Sequence, residues 1–186
     1  MSSVISTTSS ASPAAYVLSG ATRARFDREV AKYPPEQKAS AVMACLAIVQ
    51  QEEGFVSLAS EKVIAAYLGM APIAVHEVTT FYNMYNQRPL GQFKLNVCTN
   101  LPCQLRDGQS ALEHLCRKLG VEEGGTTADG RITVQKSECL GACADAPVLL
   151  VNDRQMCSFM QTEQLDELVE MLKRAPAAAV PVTPTP

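Results

Sequence analysis

The feature that most constrains this chain is a set of four cysteines arranged in two close pairs. Four residues separate Cys98 from Cys103, three separate Cys139 from Cys143, and thirty-five lie between the pairs. Four thiolates that converge can bind the two tetrahedral irons of a [2Fe–2S] cluster. The same four can instead hold one tetrahedral zinc ion. The choice decides the class of protein, because an iron–sulfur cluster carries electrons whereas zinc has no redox chemistry.

Length and composition argue against several other classes. The 186 residues suffice for one domain with a substantial core or for two small ones. A net charge of −3 argues against a nucleic-acid-binding protein, which needs a basic face. No apolar run approaches the ~18 residues of a membrane-spanning helix, and the first residues lack the pattern of a secretory signal. We therefore expect reduced thiols, and seven cysteines, an odd number, make a disulfide framework the weakest interpretation.

The two ends of the chain differ in composition from its middle. Residues 1–18 are rich in Ser, Thr, Ala and Pro, and residues 175–186 are almost entirely Ala, Pro, Val and Thr. Such segments bury too little apolar surface to offset their ordering entropy, so both are predicted to be disordered tails. Between them the pattern changes near residue 90. This change predicts a helical domain over residues 19–90 and a second domain over residues 91–174.

Residues 19–90 show apolar positions at helical spacing in four stretches. Prolines, glycines and a serine mark the expected helix ends. The predicted helices are one that ends at Pro34, a second over residues 36–53 with Gly54 as its stop, a third with Ser60 as N-cap and Gly69 as its end, and a fourth from Pro72 to Tyr82. Together they predict an N-terminal helical bundle.

Residues 91–174 predict a mixed α+β (or α/β) domain with the order β-α-β-β-β-α. Lys94 and Asn96 alternate with apolar neighbours, which indicates a half-buried first strand ending at Cys98. The elements that follow are a helix with its apolar stripe over residues 105–119, a strand at 132–134, strands at 148–151 and 156–159, and a helix from about Thr162. The first β-α-β unit is expected to be a parallel pair with a right-handed crossover.

This topology predicts that the four cysteines meet. Parallel strands end at the same edge of a sheet, where Cys98 closes the first strand and Cys139 follows the second. A short loop should then carry the second member of each pair, Cys103 or Cys143. The small residues 140–142 would let backbone N–H groups approach the sulfur atoms.

Zinc stays open as an alternative, because structural zinc sites use ligand pairs at similar spacing. A zinc ribbon has its metal in place of a core, however, whereas this domain is expected to have a core of its own, so the cluster is favoured. The other cysteines, Cys45, Cys116 and Cys157, are predicted to be buried thiols that act as small hydrophobes. His76 and His114 are predicted to be ordinary surface or half-buried residues of helices rather than ligands.

Four segments of the chain strongly resemble one known family. They are residues 80–85 (TFYNMY), 98–103 (CTNLPC), 138–143 (ECLGAC) and 146–147 (AP). The family is the thioredoxin-like [2Fe–2S] ferredoxin subunit of NADH:quinone oxidoreductase, the bacterial respiratory complex I. The resemblance covers about residues 18–173 and implies a helical unit joined to a thioredoxin-like domain. It also implies that one [2Fe–2S] cluster is bound by Cys98, Cys103, Cys139 and Cys143.

The resemblance implies electron transfer inside a complex. The expected partners are a subunit that binds NADH and FMN and the iron–sulfur subunits of a peripheral arm, on the cytoplasmic side of the inner (plasma) membrane. This chain would accept electrons from the flavin and oxidise no NADH alone. No glycine-rich phosphate loop or Ser-His-Asp grouping occurs, so we expect neither a nucleotide site nor catalytic residues. The small subunit of an NAD-linked formate dehydrogenase or hydrogenase is the alternative.

Two further classes fit the residues less well. Residues 63–82 resemble a helix-turn-helix, which would suit an iron–sulfur DNA-binding sensor. The would-be recognition helix at residues 72–81 contains no Lys or Arg and carries Glu77, which argues against it. A free-standing ferredoxin would have no use for the helical extension, which an anchoring role in an assembly explains.

Overall fold

The computed structural model describes residues 15–176. The chain divides into two compact units, Met1–Arg88 and Pro89–Pro186, and each is described separately. The predicted disordered tails fall mostly at residues 1–14 and 177–186, outside the described residues. Tyr16 and Leu18, which lie within the first predicted tail, pack partly buried against the core of the first unit.

The first unit is helical, as predicted. Its elements are α1 (Gly20–Val30), a 3-10 helix (Pro35–Ala41), α2 (Val42–Glu53), α3 (Leu58–Leu68) and α4 (Pro72–Phe81). Their apolar faces share one core, whose fully buried members include Phe26, Leu46, Val49, Ile64 and Val75. Burial of these faces stabilises the helices, because isolated helices of this length are marginal in water.

Two of the predicted helix boundaries are wrong. Ser57, not Ser60, is the N-cap of α3: its hydroxyl accepts the Ser60 N–H at 3.1 Å, and the Ser60 hydroxyl accepts the Ser57 N–H at 2.9 Å. The predicted helix over residues 36–53 begins as a 3-10 helix, because Gln37 has non-helical backbone angles. Gly54 and Gly69 do end their helices in the left-handed conformation, as predicted.

The second unit has a four-stranded sheet. Its strands are β1 (Phe93–Cys98), β2 (Ile132–Ser137), β3 (Leu149–Val151) and β4 (Gln155–Cys157), in the spatial order β2-β1-β3-β4. β1 pairs with β2 in parallel, and the other two pairings are antiparallel. The helices are α5 (Leu101–Gln104), α6 (Gly108–Leu119) and α7 (Thr162–Arg174). The predicted β-α-β-β-β-α order and the parallel first pair are confirmed, with α5 as an additional turn of helix.

The first strand is buried on both faces rather than half-buried. β1 lies between β2 and β3, and all six of its residues are buried, including Lys94 and Asn96. The turn after β3 supplies a partner for both polar side chains. Lys94 Nζ lies 2.5 Å from Asp153 Oδ2, and Asn96 Nδ2 donates to Asp153 Oδ1 at 2.6 Å. The alternation of polar and apolar residues predicted that Lys94 and Asn96 are exposed. It could not show that a carboxylate distant in sequence pairs with both buried side chains.

The core of the second unit joins the sheet to α6 and α7. Leu112 and Leu115 of α6 and Leu165 and Leu172 of α7 are buried with the apolar residues of the strands. Leu105, predicted to start the stripe of α6, is instead 76% exposed after the end of α5. The helix therefore starts later than its apolar pattern suggested. A core of this kind distinguishes the unit from a zinc ribbon, in which the metal takes the place of a core.

Candidate functional site

The two cysteine segments leave the sheet at adjacent strand ends. Cys98, the last residue of β1, is in parallel register with Ser137, the last residue of β2. The Thr99 N–H donates to the Ser137 carbonyl at 3.2 Å, and Asn100 Nδ2 donates to Glu138 Oε2 at 3.1 Å. The chain segments that follow the strands are thus tied together. The expected juxtaposition at one edge of the sheet is present.

The first pair of thiols is buried. Cys98 and Cys103 have exposed fractions of 2% and 1% and pack with Ala146 and Val148. Cys103 lies on the short helix α5 rather than on the predicted loop, and Pro102 occupies the first turn of that helix. The Cys98 N–H donates to the Val148 carbonyl at 3.1 Å. A β-strand end, a turn of helix and the start of the β3 segment therefore frame these two sulfurs.

Gly108 allows the backbone around Cys98 and Cys103 to pack closely. The apolar and cysteine patterns of the sequence do not reveal this role. A Cβ atom at Gly108 would lie 2.8 Å from the carbonyl oxygens of both Cys98 and Cys103. Such a contact is shorter than van der Waals distance, so only glycine fits without a shift of the backbone. The preceding Asp107 turns the chain with a φ of 67°. The sequence does offer one signal for this role. Glycine is unfavourable in helices, so a glycine at the start of one indicates a close approach of backbone.

The second pair of thiols is exposed. Cys139 and Cys143 lie in the segment after β2, and their Sγ atoms are 3.6 Å apart. Gly141 between them has a φ of 82°, which agrees with the permissive loop predicted at residues 140–142. Cys143 opens a single 3-10 turn, Cys143–Asp145, rather than a plain loop.

Asp145 anchors this second segment, a role for which no local sequence signal exists. The Phe159 N–H donates to the Asp145 carbonyl at 2.8 Å, and the Ser158 hydroxyl donates to Asp145 Oδ2 at 3.0 Å. Both donors come from the chain just after β4, which is remote in sequence. The position of Cys143 therefore depends on a contact that only the folded chain creates.

The four thiols are close enough to influence one another electrostatically. The pKa of Cys103 is raised to about 11, chiefly by burial; the backbone of Val148 lowers it, and the neighbouring Cys98 and Cys143 contribute to the increase. The pKa of Cys143 is raised, chiefly by its hydrogen bond with Cys139. Thiols with raised pKa values keep their protons until a metal displaces them. The effect of the Val148 backbone on the pKa favours the thiolate, the form of cysteine that binds metal.

The arrangement fits a cluster with two metal ions. Two sulfurs on one tetrahedral ion, each at a metal–sulfur distance of about 2.3 Å, lie about 3.8 Å apart. The 3.6 Å between Cys139 and Cys143 is close to that value. Within residues 15–176, no three His, Cys, Asp or Glu side chains gather as around a single ion. A thiol pair at this distance can bind one tetrahedral metal ion, such as one iron of a [2Fe–2S] cluster.

The remaining cysteines and the histidines lie outside this site. Cys45 and Cys157 are buried, as predicted, and burial raises their pKa values to about 12 and about 11. Cys116 is only half-buried, so that prediction is wrong for it. His76 Nδ1 lies 2.9 Å from Glu61 Oε2, and His114 Nε2 lies 2.7 Å from Asp166 Oδ1. Each histidine thus pairs with a carboxylate of a neighbouring helix.

Comparison with known proteins shows the family to which this chain belongs. Residues 26–173 match the family model of the thioredoxin-like [2Fe–2S] ferredoxins. The chain belongs to this family, which confirms the resemblance and the fold and implies a [2Fe–2S] cluster as the cofactor.

The relatives narrow the class to subunits of one oxidoreductase. The chain is 39% identical over 148 residues to "NADH-quinone oxidoreductase subunit 2" of Thermus thermophilus, covering 80% of this chain and 82% of the relative. It is 38% identical to an NADH-quinone oxidoreductase subunit of Rickettsia prowazekii, covering 76% and 80%. It is 36% identical to an NADH-quinone oxidoreductase subunit of Rhizobium meliloti, covering 82% and 89%.

Solved structures support the fold. The chain superposes on part of an NAD⁺-reducing [NiFe]-hydrogenase in the H2-reduced state with a TM-score of 0.60 and 21% identity. The match covers 73% of this chain but only 23% of the hydrogenase chain. At this identity the likeness concerns the fold alone. In the part of the chain that the structure describes, no helix has the length and apolar character needed to cross a bilayer.

Proposed function

We propose that this chain is the electron-transfer subunit of an NADH:quinone oxidoreductase. Cys98, Cys103, Cys139 and Cys143 bind its one [2Fe–2S] cluster, two thiolates to each iron. The observation that carries the proposal is that the segments with the two thiol pairs leave the sheet side by side, at the adjacent ends of the parallel strands β1 and β2. The relatives' names support the identity of the enzyme.

The surrounding residues have distinct tasks in this proposal. Gly108 lets the backbone that carries Cys98 and Cys103 pack closely, and Asp145 holds the segment that carries Cys143 in place. The backbone of Val148 lowers the pKa of Cys103 and so favours its thiolate. The cluster, when bound, supplies the capacity for one electron. The chain's own residues hold it and position it near the surface, at the exposed pair.

The proposed partners are a subunit that binds NADH and FMN and the iron–sulfur subunits of a peripheral arm. The hydride of NADH carries two electrons, so a flavin must divide it before a one-electron cluster can accept. The proposed location is the cytoplasmic side of the inner (plasma) membrane, as a peripheral part of the complex. The helical unit Met1–Arg88 supplies an anchoring surface for the assembly.

Reduction by NADH tests this role. The isolated, cluster-loaded chain should stay oxidised when NADH is added, whereas the same cluster in the purified complex should show a reduced, spin-half EPR signal. A signal from the isolated chain would show that it binds NADH itself and would contradict the assignment. Quinone-linked NADH oxidation by the co-purified complex separates this host enzyme from an NAD-linked hydrogenase or formate dehydrogenase, which would oxidise H2 or formate instead.

A further inference from the structure

The two thiol pairs differ sharply in access. Cys98 and Cys103 are almost completely buried, whereas Cys139 and Cys143 are exposed and only 3.6 Å apart. A cysteine can replace a carrier's thiolate on iron only if the carrier can reach that cysteine. Exposure therefore controls the order in which the cysteines bind the cluster. An incoming protein can therefore reach the second pair of this fold but not the first.

The segment that carries the exposed pair also covers the buried pair. Leu140 and Ala142 lie between Cys139 and Cys143 in the chain. Both pack against the small apolar cluster that contains Cys98 and Cys103. A cluster that approaches the buried sulfurs must therefore pass the segment at residues 139–143.

The geometry points to an ordered loading of the [2Fe–2S] cluster, in which Cys139 and Cys143 take it first and Cys98 and Cys103 complete the site. The donor is a carrier that holds the cluster through thiolates. In each exchange one iron–sulfur bond to the carrier breaks and one to this chain forms. The proton of the incoming thiol passes to the released carrier thiolate. The iron oxidation states do not change, so no oxidant or reductant is required. This inference rests on the proposed function.

Alkylation of the cluster-free full-length chain tests the difference in access. Trypsin places each pair in its own peptide, residues 95–106 and 137–154, so the two pairs can be followed separately by mass spectrometry. Under native conditions N-ethylmaleimide should modify peptide 137–154 at least about tenfold faster than peptide 95–106, because thiol reactivity follows exposure. The buried Cys45 and Cys157 are internal controls that should remain unmodified over the same interval. Equal rates for the two peptides would overturn the ordered loading.

Cluster transfer tests the order directly, with a glutathione-ligated [2Fe–2S] complex as the donor. The variant C98S/C103S keeps the exposed pair, and C139S/C143S keeps the buried pair. The first should acquire cluster absorption at a rate within about threefold of the unmodified chain, and the second about tenfold more slowly. Equal rates, or faster transfer to C139S/C143S, would overturn the inference. If the unmodified chain takes up no cluster at all, the proposed function itself fails, which is a different result.

Discussion

The two halves of the cysteine site are built in different ways. The first half belongs to the core: Cys98 ends the central strand, Cys103 lies on α5, and Gly108 packs against the backbone of both. The second half is a surface segment that Asp145 holds by hydrogen bonds from the chain after β4. The core can fix the positions of two ligands, while the surface segment supplies the other two and keeps them accessible to an incoming cluster. The substitutions below should affect the two halves unequally.

The largest effect is expected for Gly108→Ala. The new Cβ would lie 2.8 Å from the carbonyl oxygens of Cys98 and Cys103, so the first half must move. We expect a loss of about 3 kcal/mol in the free energy of unfolding, measured by urea denaturation, together with a lower iron content. Gly20→Ala is the control, because a Cβ there meets nothing within 4 Å. A Gly108→Ala protein as stable as that control would contradict the close packing of Gly108 against the backbone of Cys98 and Cys103.

A smaller effect is expected for Asp153→Asn, at the opposite end of β1 from Cys98; asparagine tolerates the left-handed φ of 54° at this position. The substitution removes the carboxylate that forms an ion pair with the buried Lys94. We expect a loss of about 2 kcal/mol, less than for a fully buried pair because Asp153 is 35% exposed. Urea unfolding measures it, and iron content should stay unchanged. Glu123→Ala breaks the exposed pair with Lys136 and should cost almost nothing.

Gly141→Ala probes the second half and should cost less than Gly108→Ala. A Cβ at Gly141 meets no atom within 4 Å, so the penalty comes only from the left-handed φ of 82°. That conformation costs roughly 1 kcal/mol for alanine. The variant should bind its full complement of iron in a metal assay, since the segment can adapt. A loss of iron as large as that of Gly108→Ala would show that the two halves are equally rigid.

The smallest effect concerns acid stability, away from both halves. Hydrogen bonds from His114 and then Lys118 lower the pKa of Asp166 below its usual 3.8. A lowered pKa in the folded state stabilises the protein above pH 3.8, and this contribution disappears as the pH falls through the lowered value. Asp166→Asn should therefore lower the melting temperature slightly at pH 6 and leave it unchanged near pH 2. Glu167→Gln on the same helix is the control, and equal behaviour of the two variants would refute the assignment.

The same contrast explains which features could be predicted from the sequence. The side-by-side position of the two cysteine segments follows from strand order, because parallel strands must end at one edge. The burial of Lys94 could not be predicted, since its partner Asp153 comes from a turn far along the chain. Likewise the anchoring of Cys143 depends on Asp145 bonding to residues after β4. Contacts between distant residues leave no local pattern.

Local signals also fail where two of them compete. Ser57 and Ser60 are both good N-caps, and the capping box that joins them has serine where glutamate or glutamine is usual. Leu58, the first residue of α3, is exposed and so adds nothing to the apolar pattern. The predicted start of this helix is therefore too late.

The sequence predicts a loop at Cys103 because a four-residue helix is too short to show periodicity.

The central claim is that four named thiols bind one two-iron cluster. Its most direct test is the iron, acid-labile sulfide and zinc content of anaerobically purified protein, with EPR after dithionite reduction. We predict two irons and two sulfides per chain and a spin-half signal, as a [2Fe–2S] cluster requires. Serine at Cys98, Cys103, Cys139 or Cys143 should remove the signal, and serine at the half-buried Cys116 should not. One zinc per chain, with no sulfide and no signal, would contradict the account.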